Sequence, residues 1–460
     1  TAKMSLKAFT ADSLNASINR LSLEESSGLK IRNLSAQMAG NKESVTVKNL
    51  ELLLPKTSFK IMHAGIETAG IDSLSQLFNA APIDLEVSPS QIYLQDLSAL
   101  VPAFRYFTDR IDLSAHASGT INDIHVRNLK VNYDNEKIAL TGNTHLKDVT
   151  TPQRTYLHGE VSRLHITEEG LTRILKNFGE KPIKLPEEVS RLGDLDFKGE
   201  ISGLLDNLIA YGELKSAIGS VQTDLSIGRD KARNIALALK GKIASTELQV
   251  DRLFKEGNPY GKVRFSIELD VKRPSGGNFS GYAKAAINKL EYKGYEYKNI
   301  QISGDFKKNE FDGILEVNDE NVQLYAEGMF NAQHKSPAFN FSARVRHFRP
   351  DKLHLLNKDK ETELAFSLQA DFTGNNIDNL EGSIRMDSLS FHTASGNFEL
   401  DRLLVEASGH SGNRGLSIHS QLLNGEITGA YSFSGLTSSL LRTTKHFLPS
   451  LIETKQGKEK

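Results

Sequence analysis

The sequence contains few groupings of residues that could carry out chemistry. Its 13 histidines are scattered along the chain, and no two of them share a recognised zinc-binding spacing with nearby acids. No G-x-S-x-G nucleophile elbow and no phosphate-binding P-loop is present. Cysteine is absent, which excludes disulfides, thiolate metal ligands and cysteine nucleophiles. The sequence therefore predicts a protein without enzymatic activity, metal centre or cofactor, although a glycosidase-type carboxylate pair stays open because separation in space decides it.

Three short stretches resemble functional sites more weakly. Residues 409–415 are rich in glycine but lie between two predicted strands and lack dinucleotide-binding spacing, so we interpret them as a hairpin loop. Residues 371–376 lack the alternating acids and the terminal glutamate of a calcium loop. A basic cluster could contact lipid phosphates, although a solvated strand face is the favoured interpretation. The cluster consists of Arg344, Arg346, His347, Arg349 and Lys352.

The composition narrows the function classes. The 460 residues include 56 Lys and Arg against 57 Asp and Glu, which gives a formal net charge of −1. A near-neutral chain lacks the clustered basic surplus with which nucleic-acid binders neutralise phosphates. The sequence contains no run of about 18 apolar residues, so it predicts no membrane-spanning helix. Length alone suggests about three domains, which is only a starting expectation.

The dominant pattern in the chain is an alternation of apolar and polar residues with a period of two. Every second side chain is apolar in residues 263–271, and residues 339–345 and 364–372 repeat the pattern. Successive side chains of a strand point to opposite faces, so this alternation predicts strands with one apolar and one wet face. It also favours antiparallel pairing, because parallel sheets are covered on both faces. We count about 26 such strands, which predicts an all-β protein with a few short helices.

Four segments predict helices. Residues 167–178 begin with a capping Thr-Glu-Glu sequence and place apolar residues at helical spacing before a glycine. Residues 72–78 predict one or two helical turns, and a further helix, started by Asp96 or Ser98, is predicted around residues 97–107. Residues 436–452 predict a leucine-rich helix. We interpret this last helix as a plug at the open end of an apolar sheet, with a lid or partner-docking helix as the alternative.

A glycine recurs inside predicted strands, on the apolar side and between apolar residues. Glycine in a strand costs about 0.5–1 kcal/mol relative to alanine, so the repetition needs a cause. Such a glycine marks a bulge or bend, or the close approach of a ligand or of another backbone. We favour a bend that curls the sheet, and room for a bound chain is the alternative. The glycines are Gly159, Gly199, Gly241, Gly304, Gly382 and Gly425.

The strand pattern continues over residues 3–434 without the break that a closed sandwich or barrel would show. About 26 strands at about 4.8 Å each would form a ribbon of roughly 120 Å. Such a ribbon can cover its apolar face only by curling, so we predict an elongated, curled, mainly antiparallel sheet that forms an apolar trough. The best linker candidate is residues 179–186, which divides the chain into segments 1–180 and 187–460. Lesser linker candidates are residues 255–260 and 357–362.

Part of the chain resembles a known family. The run YKGYEYKNI at residues 292–300 and the run GEITGAYSF at residues 425–433, which precedes the leucine-rich helix, are similar to the TamB/AsmA-like proteins of Bacteroidetes. The similarity covers about residues 190–452, whereas residues 1–180 share only the strand and glycine pattern. The resemblance implies the periplasmic, β-rich part of an inner-membrane-anchored protein. This chain would then be a middle fragment, without the N-terminal anchor and the C-terminal TamB domain.

The resemblance implies phospholipid movement between the inner and outer membranes, or assembly of outer-membrane proteins with a β-barrel protein as partner. Phospholipid acyl chains would slide along the trough, and each CH₂ group that leaves water would stabilise the bound chain by about 0.8 kcal/mol. The alternatives are an adhesin-like or glycan-binding module, disfavoured because tryptophan is absent, and a β-helix enzyme, disfavoured by irregular strand spacing. For each predicted lining residue, ordinary core packing is the alternative role. The predicted lining residues are Val263, Phe265, Ile267, Leu269, Phe339, Phe341, Val345, Leu364, Phe366, Leu368 and Phe372.

Overall fold

The computed structural model describes most of the chain. The described residues are 1–10, 13–25, 28–67, 81–151, 153–177, 187–230, 232–255, 257–332, 336–356, 361–374, 379–394, 396–410 and 413–430. Of these residues, 72% lie in strands and 6% in helices. The prediction of an all-β protein with a few short helices is therefore confirmed.

The chain divides into two units, Thr1–Asn258 and Pro259–Lys460. This division lies within residues 255–260, one of the lesser linker candidates. The strands on either side of residues 179–186 pair with each other, and the division into segments 1–180 and 187–460 stays a prediction.

The first unit contains fourteen strands among its described residues. They are β1 (Ala2–Thr10), β2 (Ser13–Glu24), β3 (Lys30–Gly40), β4 (Ser44–Leu53), β5 (Ser58–Glu67), β6 (Ile83–Ile92), β7 (Ile111–Thr120), β8 (Asp123–Tyr133), β9 (Ile138–Lys147), β10 (Tyr156–Ile166), β11 (Leu195–Leu204), β12 (Asn207–Ser216), β13 (Gly219–Asp230) and β14 (Ile235–Gln249). Its helices are the 3-10 helices Leu94–Leu97, Pro102–Tyr106 and Val250–Leu253, with α1 (Glu168–Asn177) and α2 (Glu187–Ser190).

The second unit contributes eleven strands to the described part of the chain. They are β15 (Tyr260–Pro274), β16 (Ser280–Tyr292), β17 (Tyr295–Lys307), β18 (Glu310–Asp319), β19 (Val322–Asn331), β20 (Ala338–Phe348), β21 (Thr362–Thr373), β22 (Glu381–Thr393), β23 (Gly396–His410), β24 (Asn413–Ser420) and β25 (Asn424–Gly429).

Within each unit, every strand pairs antiparallel with the strand that follows it in the chain, from β1 to β14 and from β15 to β25. Short turns permit this order, since only two residues separate β17 from β18. We call strands β1–β14 the first sheet and strands β15–β25 the second sheet; among the described residues, no strand pairing closes either of them into a barrel. The antiparallel prediction is confirmed, and the 25 strands of the described residues are close to the predicted number of about 26.

The predicted helix at residues 167–178 is confirmed as α1. The hydroxyl oxygen of Thr167 accepts a 3.0 Å hydrogen bond from the backbone N–H of Gly170, as an N-cap residue does. Arg173 ties the helix to the sheet, because its guanidinium lies 3.2 Å from Asp109 and 3.0 Å from Asp134. The helix therefore packs where the sequence pattern places it, at the end of β10.

The prediction of one helix around residues 97–107 is wrong in type. Two 3-10 helices occupy the region instead, at Leu94–Leu97 and Pro102–Tyr106. The Asp96 carboxylate does not cap a helix, because it accepts 2.8 Å hydrogen bonds from the backbone N–H groups of Lys56 and Thr57. The helices predicted at residues 72–78 and 436–452 lie outside the described residues.

A segment of residues 349–356, which we call the end segment, packs against turns of the second sheet. The Tyr297 hydroxyl donates a 3.2 Å hydrogen bond to the Leu353 carbonyl, and the His354 Nδ1 lies 3.0 Å from the Lys293 carbonyl. Leu353 is 0% exposed. The segment thus contributes a buried anchor at this end of the sheet.

A buried polar network lies beside the end segment. The Tyr295 hydroxyl donates a 2.6 Å hydrogen bond to Asp319, whose other carboxylate oxygen accepts a 2.9 Å bond from the backbone N–H of Lys298. Burial, together with the bond to Asp319, raises the pKa of Tyr295 to about 12. The phenol therefore stays protonated further into the alkaline range than an ordinary tyrosine, and its bond to Asp319 holds the start of β17.

Candidate functional site

The strand register of the second sheet aligns apolar residues in rows that run across the strands. One row carries phenylalanines on five consecutive strands, β17 to β21. The ring centroids of Phe330 and Phe339 are 5.0 Å apart, and those of Phe339 and Phe372 are 4.7 Å apart with rings 20° from parallel. We call the face that carries this row the apolar face. The phenylalanine row consists of Phe306, Phe311, Phe330, Phe339 and Phe372.

In the neighbouring row on the apolar face, strands β17, β18 and β19 each carry a glycine. Gly304 pairs with Gly313, and Gly313 pairs with Gly328. A Cβ atom at Gly304 would lie 2.3 Å from the carbonyl oxygen of Asp312, which no side chain tolerates. The Phe311 ring fills the space above Gly313, since its Cζ lies 2.7 Å from the place of a Cβ there. The glycines therefore let the strand backbones approach each other, and the Phe311 ring packs over them.

The repeated strand glycines separate into two groups. In the first group, an added Cβ would lie 2.1–2.3 Å from a carbonyl oxygen of the neighbouring strand. The first group comprises Gly199, Gly241, Gly304 and Gly382. At Gly159 the nearest atom would be 3.7 Å away, and at Gly425 none lies within 4 Å. The close contact in the first group comes from the sheet itself and not from space left for a bound chain.

Two more rows extend the apolar face toward the other end of the strands. Rows two residues apart are separated by about 6.6 Å, so the four rows form a band roughly 20 Å wide. Seven strands at about 4.8 Å make the band about 29 Å long. The third row is Ile267, Ala285, Ile302, Leu315, Ala326, Ala343 and Leu368. The fourth row is Phe265, Ile287, Ile300, Val317, Leu324, Val345 and Phe366.

The predicted lining residues occupy alternate positions of β15, β20 and β21 and so lie on the apolar face. Two of them have little free surface, because Val263 is 8% and Val345 is 9% exposed. The other nine are half-buried, namely Phe265, Ile267, Leu269, Phe339, Phe341, Leu364, Phe366, Leu368 and Phe372.

Sequence reasoning missed three members of the phenylalanine row. Phe306, Phe311 and Phe330 were outside the predicted lining, although Phe330 is 40% exposed and offers more free surface than Val263 or Val345. The available signal was that each of these phenylalanines lies at one of the alternate, apolar positions of its own strand. Only the register, however, shows that these residues meet in one row.

On the polar face of the second sheet, charged side chains form local ion pairs. Arg402 and Arg385 contact Asp387 at 3.0 and 2.8 Å, and the bond from Arg402 contributes most to lowering the pKa of the Asp387 carboxyl. His347 and Arg349, two members of the basic cluster, contact Glu363 at 2.8 and 3.0 Å. The hydrogen bond from His347 leads the causes that lower the pKa of Glu363. Two of the five members of the basic cluster are thus already paired, which weakens a phosphate-binding interpretation.

In the two glycine-containing stretches, nearly all of the described residues belong to strands. His410 pairs with Asn413 across the β23–β24 hairpin, as predicted, and residues 411 and 412 lie outside the described residues. Asp371 and Thr373 pair with β22 as parts of β21. Residues 375–378 lie outside the described residues.

Comparisons with known proteins identify no relative. The chain matches no protein-family model, no curated protein and no solved structure. None of the helices in the described ranges has the length and apolarity needed to span a bilayer. The resemblance to TamB/AsmA-like proteins stays a prediction that rests on the residues that carry it.

Proposed function

We propose that the apolar face binds phospholipid acyl chains and that the protein, acting without catalysis, supports phospholipid transfer or outer-membrane protein assembly. The observation that carries the proposal is the band of four aligned apolar rows, on which Phe330 remains 40% exposed. Exposed apolar area of this kind favours contact with an apolar partner over water. The envelope part of the proposal follows from the family resemblance: a periplasmic location, an inner-membrane anchor outside this chain and an outer-membrane β-barrel partner.

The size of the band suits an acyl chain. The hydrocarbon core of a bilayer is about 30 Å thick, so one acyl chain reaches about 15 Å. A band roughly 20 Å wide and about 29 Å long accepts such a chain along or across the strands. Each CH₂ group that leaves water contributes about 0.8 kcal/mol. The headgroup would stay in water, because the rows offer it apolar side chains and glycine.

The character of the band favours movement over tight storage. Apolar side chains attract acyl chains without direction, so neighbouring positions along a row differ little in energy. The glycine row adds a stretch without side chains to obstruct sliding. We therefore propose a shallow energy profile along the strand-crossing direction.

Mass spectrometry of gently purified protein tests acyl-chain binding. We expect co-purified phospholipid, or uptake of phospholipid from vesicles of phosphatidylethanolamine and phosphatidylglycerol, because the band stabilises acyl chains in water. Protein that carries no phospholipid and takes up none from these vesicles would contradict the proposal.

A matched pair of variants tests which face binds lipid. Phe330→Glu places a charge on the apolar face, whereas Ile314→Glu places it on the polar face of the adjoining strand; the wild-type residues are 40% and 39% exposed. We expect Phe330→Glu to weaken binding of a fluorescent phospholipid by about tenfold, which corresponds to about 1.4 kcal/mol. Ile314→Glu should bind like the wild type. Equal losses in both variants, measured by fluorescence titration, would place the lipid elsewhere.

A further inference from the structure

Three histidines stand in one row across β8, β9 and β10 of the first sheet. His125 pairs with His145, and His145 pairs with His158. Paired side chains on one face of an antiparallel sheet lie about 4.5–5.5 Å apart at Cβ. The rings of His125 and His145 are stacked, with centroids 3.9 Å apart and planes 15° from parallel. Strand pairing thus gathers histidines that are far apart in sequence.

Asp123 adds a carboxylate to this group. It lies two residues before His125 in β8, so both side chains share one face of the sheet. One carboxylate oxygen of Asp123 is hydrogen-bonded to Nε2 of His145 and lies 3.9 Å from Nε2 of His125. One potential ligand atom from each residue lies within 4.8 Å of the other two. Two imidazole nitrogens and a carboxylate oxygen therefore converge.

The group is open to solvent and to ions. The side chains of Asp123 and His125 are 54% and 50% exposed, and that of His145 is 24% exposed. His125 and His145 line a surface hollow together with His158 and Glu160. An ion can therefore enter with water molecules still bound to it.

We propose that Asp123, His125 and His145 bind one zinc ion on the polar face of the first sheet. Imidazole and carboxylate are ordinary zinc ligands, with Zn–N of about 2.0–2.1 Å and Zn–O of about 2.0–2.2 Å. Two donor atoms of a tetrahedral zinc ion are thus about 3.3 Å apart, so rotation of the side chains would open the hydrogen bond between Asp123 and His145 and bring Nε2 of His125 closer than its present 3.9 Å. Water completes the coordination. This site lies in the first unit, whereas the apolar face lies in the second, so its proposal does not rest on acyl-chain binding.

A similar group in the first sheet provides an internal comparison. Asp84 lies 2.6 Å from Nε2 of His116 through one oxygen and 3.8 Å from Nε2 of His63 through the other. Its two histidines therefore approach opposite oxygens of the carboxylate. Within the described ranges, the Asp123 group alone combines three such donors at ion-binding distance. We accordingly expect one zinc equivalent and not two.

Isothermal titration of the purified chain with zinc chloride tests the site. We expect saturable binding of one equivalent, weakened at least about tenfold by His125→Gln or His145→Gln, since each removes a ligand. His116→Gln and His165→Gln are matched controls, because each removes a histidine that contacts an aspartate outside the group. Circular dichroism checks that each variant is folded. His125 is half exposed, so its variant keeps the test valid even where His145→Gln fails to fold.

Electron paramagnetic resonance with copper(II) as the probe reports the ligands directly. The wild type should show hyperfine coupling to two imidazole nitrogens, and His125→Gln should show coupling to one. Absence of saturable zinc binding at millimolar concentration would overturn the proposal. So would an equal loss of zinc affinity in His116→Gln, because it would mean that surface histidines bind zinc without a defined site.

Discussion

Replacing Leu353 with alanine should lower the free energy of unfolding by about 2–5 kcal/mol. Leu353 is 0% exposed, and it is the largest side chain in the described part of the chain that is completely buried. Its backbone is held on both sides, by the Tyr297 hydroxyl at 3.2 Å and by its own N–H bond to the Arg349 carbonyl at 3.0 Å. The end segment therefore cannot collapse easily into the cavity that truncation leaves. Urea unfolding followed by circular dichroism measures the loss.

Leu356→Ala is the matched control for this substitution. Leu356 lies three residues further along the same segment and is 59% exposed, so its truncation removes little buried area. We expect a change within about 0.5 kcal/mol. Similar losses for Leu353→Ala and Leu356→Ala would mean that the end segment does not anchor the second sheet.

The strands were predictable because their information is local. The alternation of apolar and polar residues at 263–271 requires only that one face of the strand is buried and the other contacts water. Strand β15 shows this arrangement, because Val263 and Val271 are buried. The cap of α1 was equally local, since Thr167 bonds to a backbone group three residues away. Asp96 failed as a predicted helix start because its partners, at residues 56 and 57, are distant in sequence.

The candidate sites were less predictable because register decides them. Each phenylalanine of the phenylalanine row alternates correctly in its own strand, but bulges shift the pairing of neighbouring strands, as between Val345 and Phe348. A shift of one residue would move an apolar set to the other face. The zinc group shows the same limit: Asp123 and His125 have same-face spacing in sequence, whereas only the pairing with β9 brings His145 to them.

The glycine repeat shows where sequence and structure complement each other. The sequence singles out Gly304 and Gly425 as equivalent, with apolar neighbours two residues away. The structure separates them, because a side chain at Gly304 meets the backbone of β18 and a side chain at Gly425 meets nothing within 4 Å. Two substitutions of the same kind should therefore have opposite outcomes.

Gly304→Val should destabilise the protein by about 3 kcal/mol or more. A Cβ atom would lie 2.3 Å from the Asp312 carbonyl oxygen and 2.7 Å from the Gly313 Cα. Both are backbone atoms, so no side-chain rotation relieves the overlap and β17 must move away from β18. That movement also separates Phe306 from Phe311 in the phenylalanine row, so phospholipid binding should fall together with stability.

Gly425→Val provides the control, with an expected change within about 0.5 kcal/mol because valine is accepted in strands and has free space there. Urea unfolding of both variants beside the wild type gives the comparison. If Gly304→Val unfolds at the wild-type urea concentration, the backbones of β17 and β18 are not in close contact, and the glycine row has some other cause. A large loss in Gly425→Val as well would mean that the repeat is needed at every position for a shared reason, and close approach of neighbouring strands would no longer explain it.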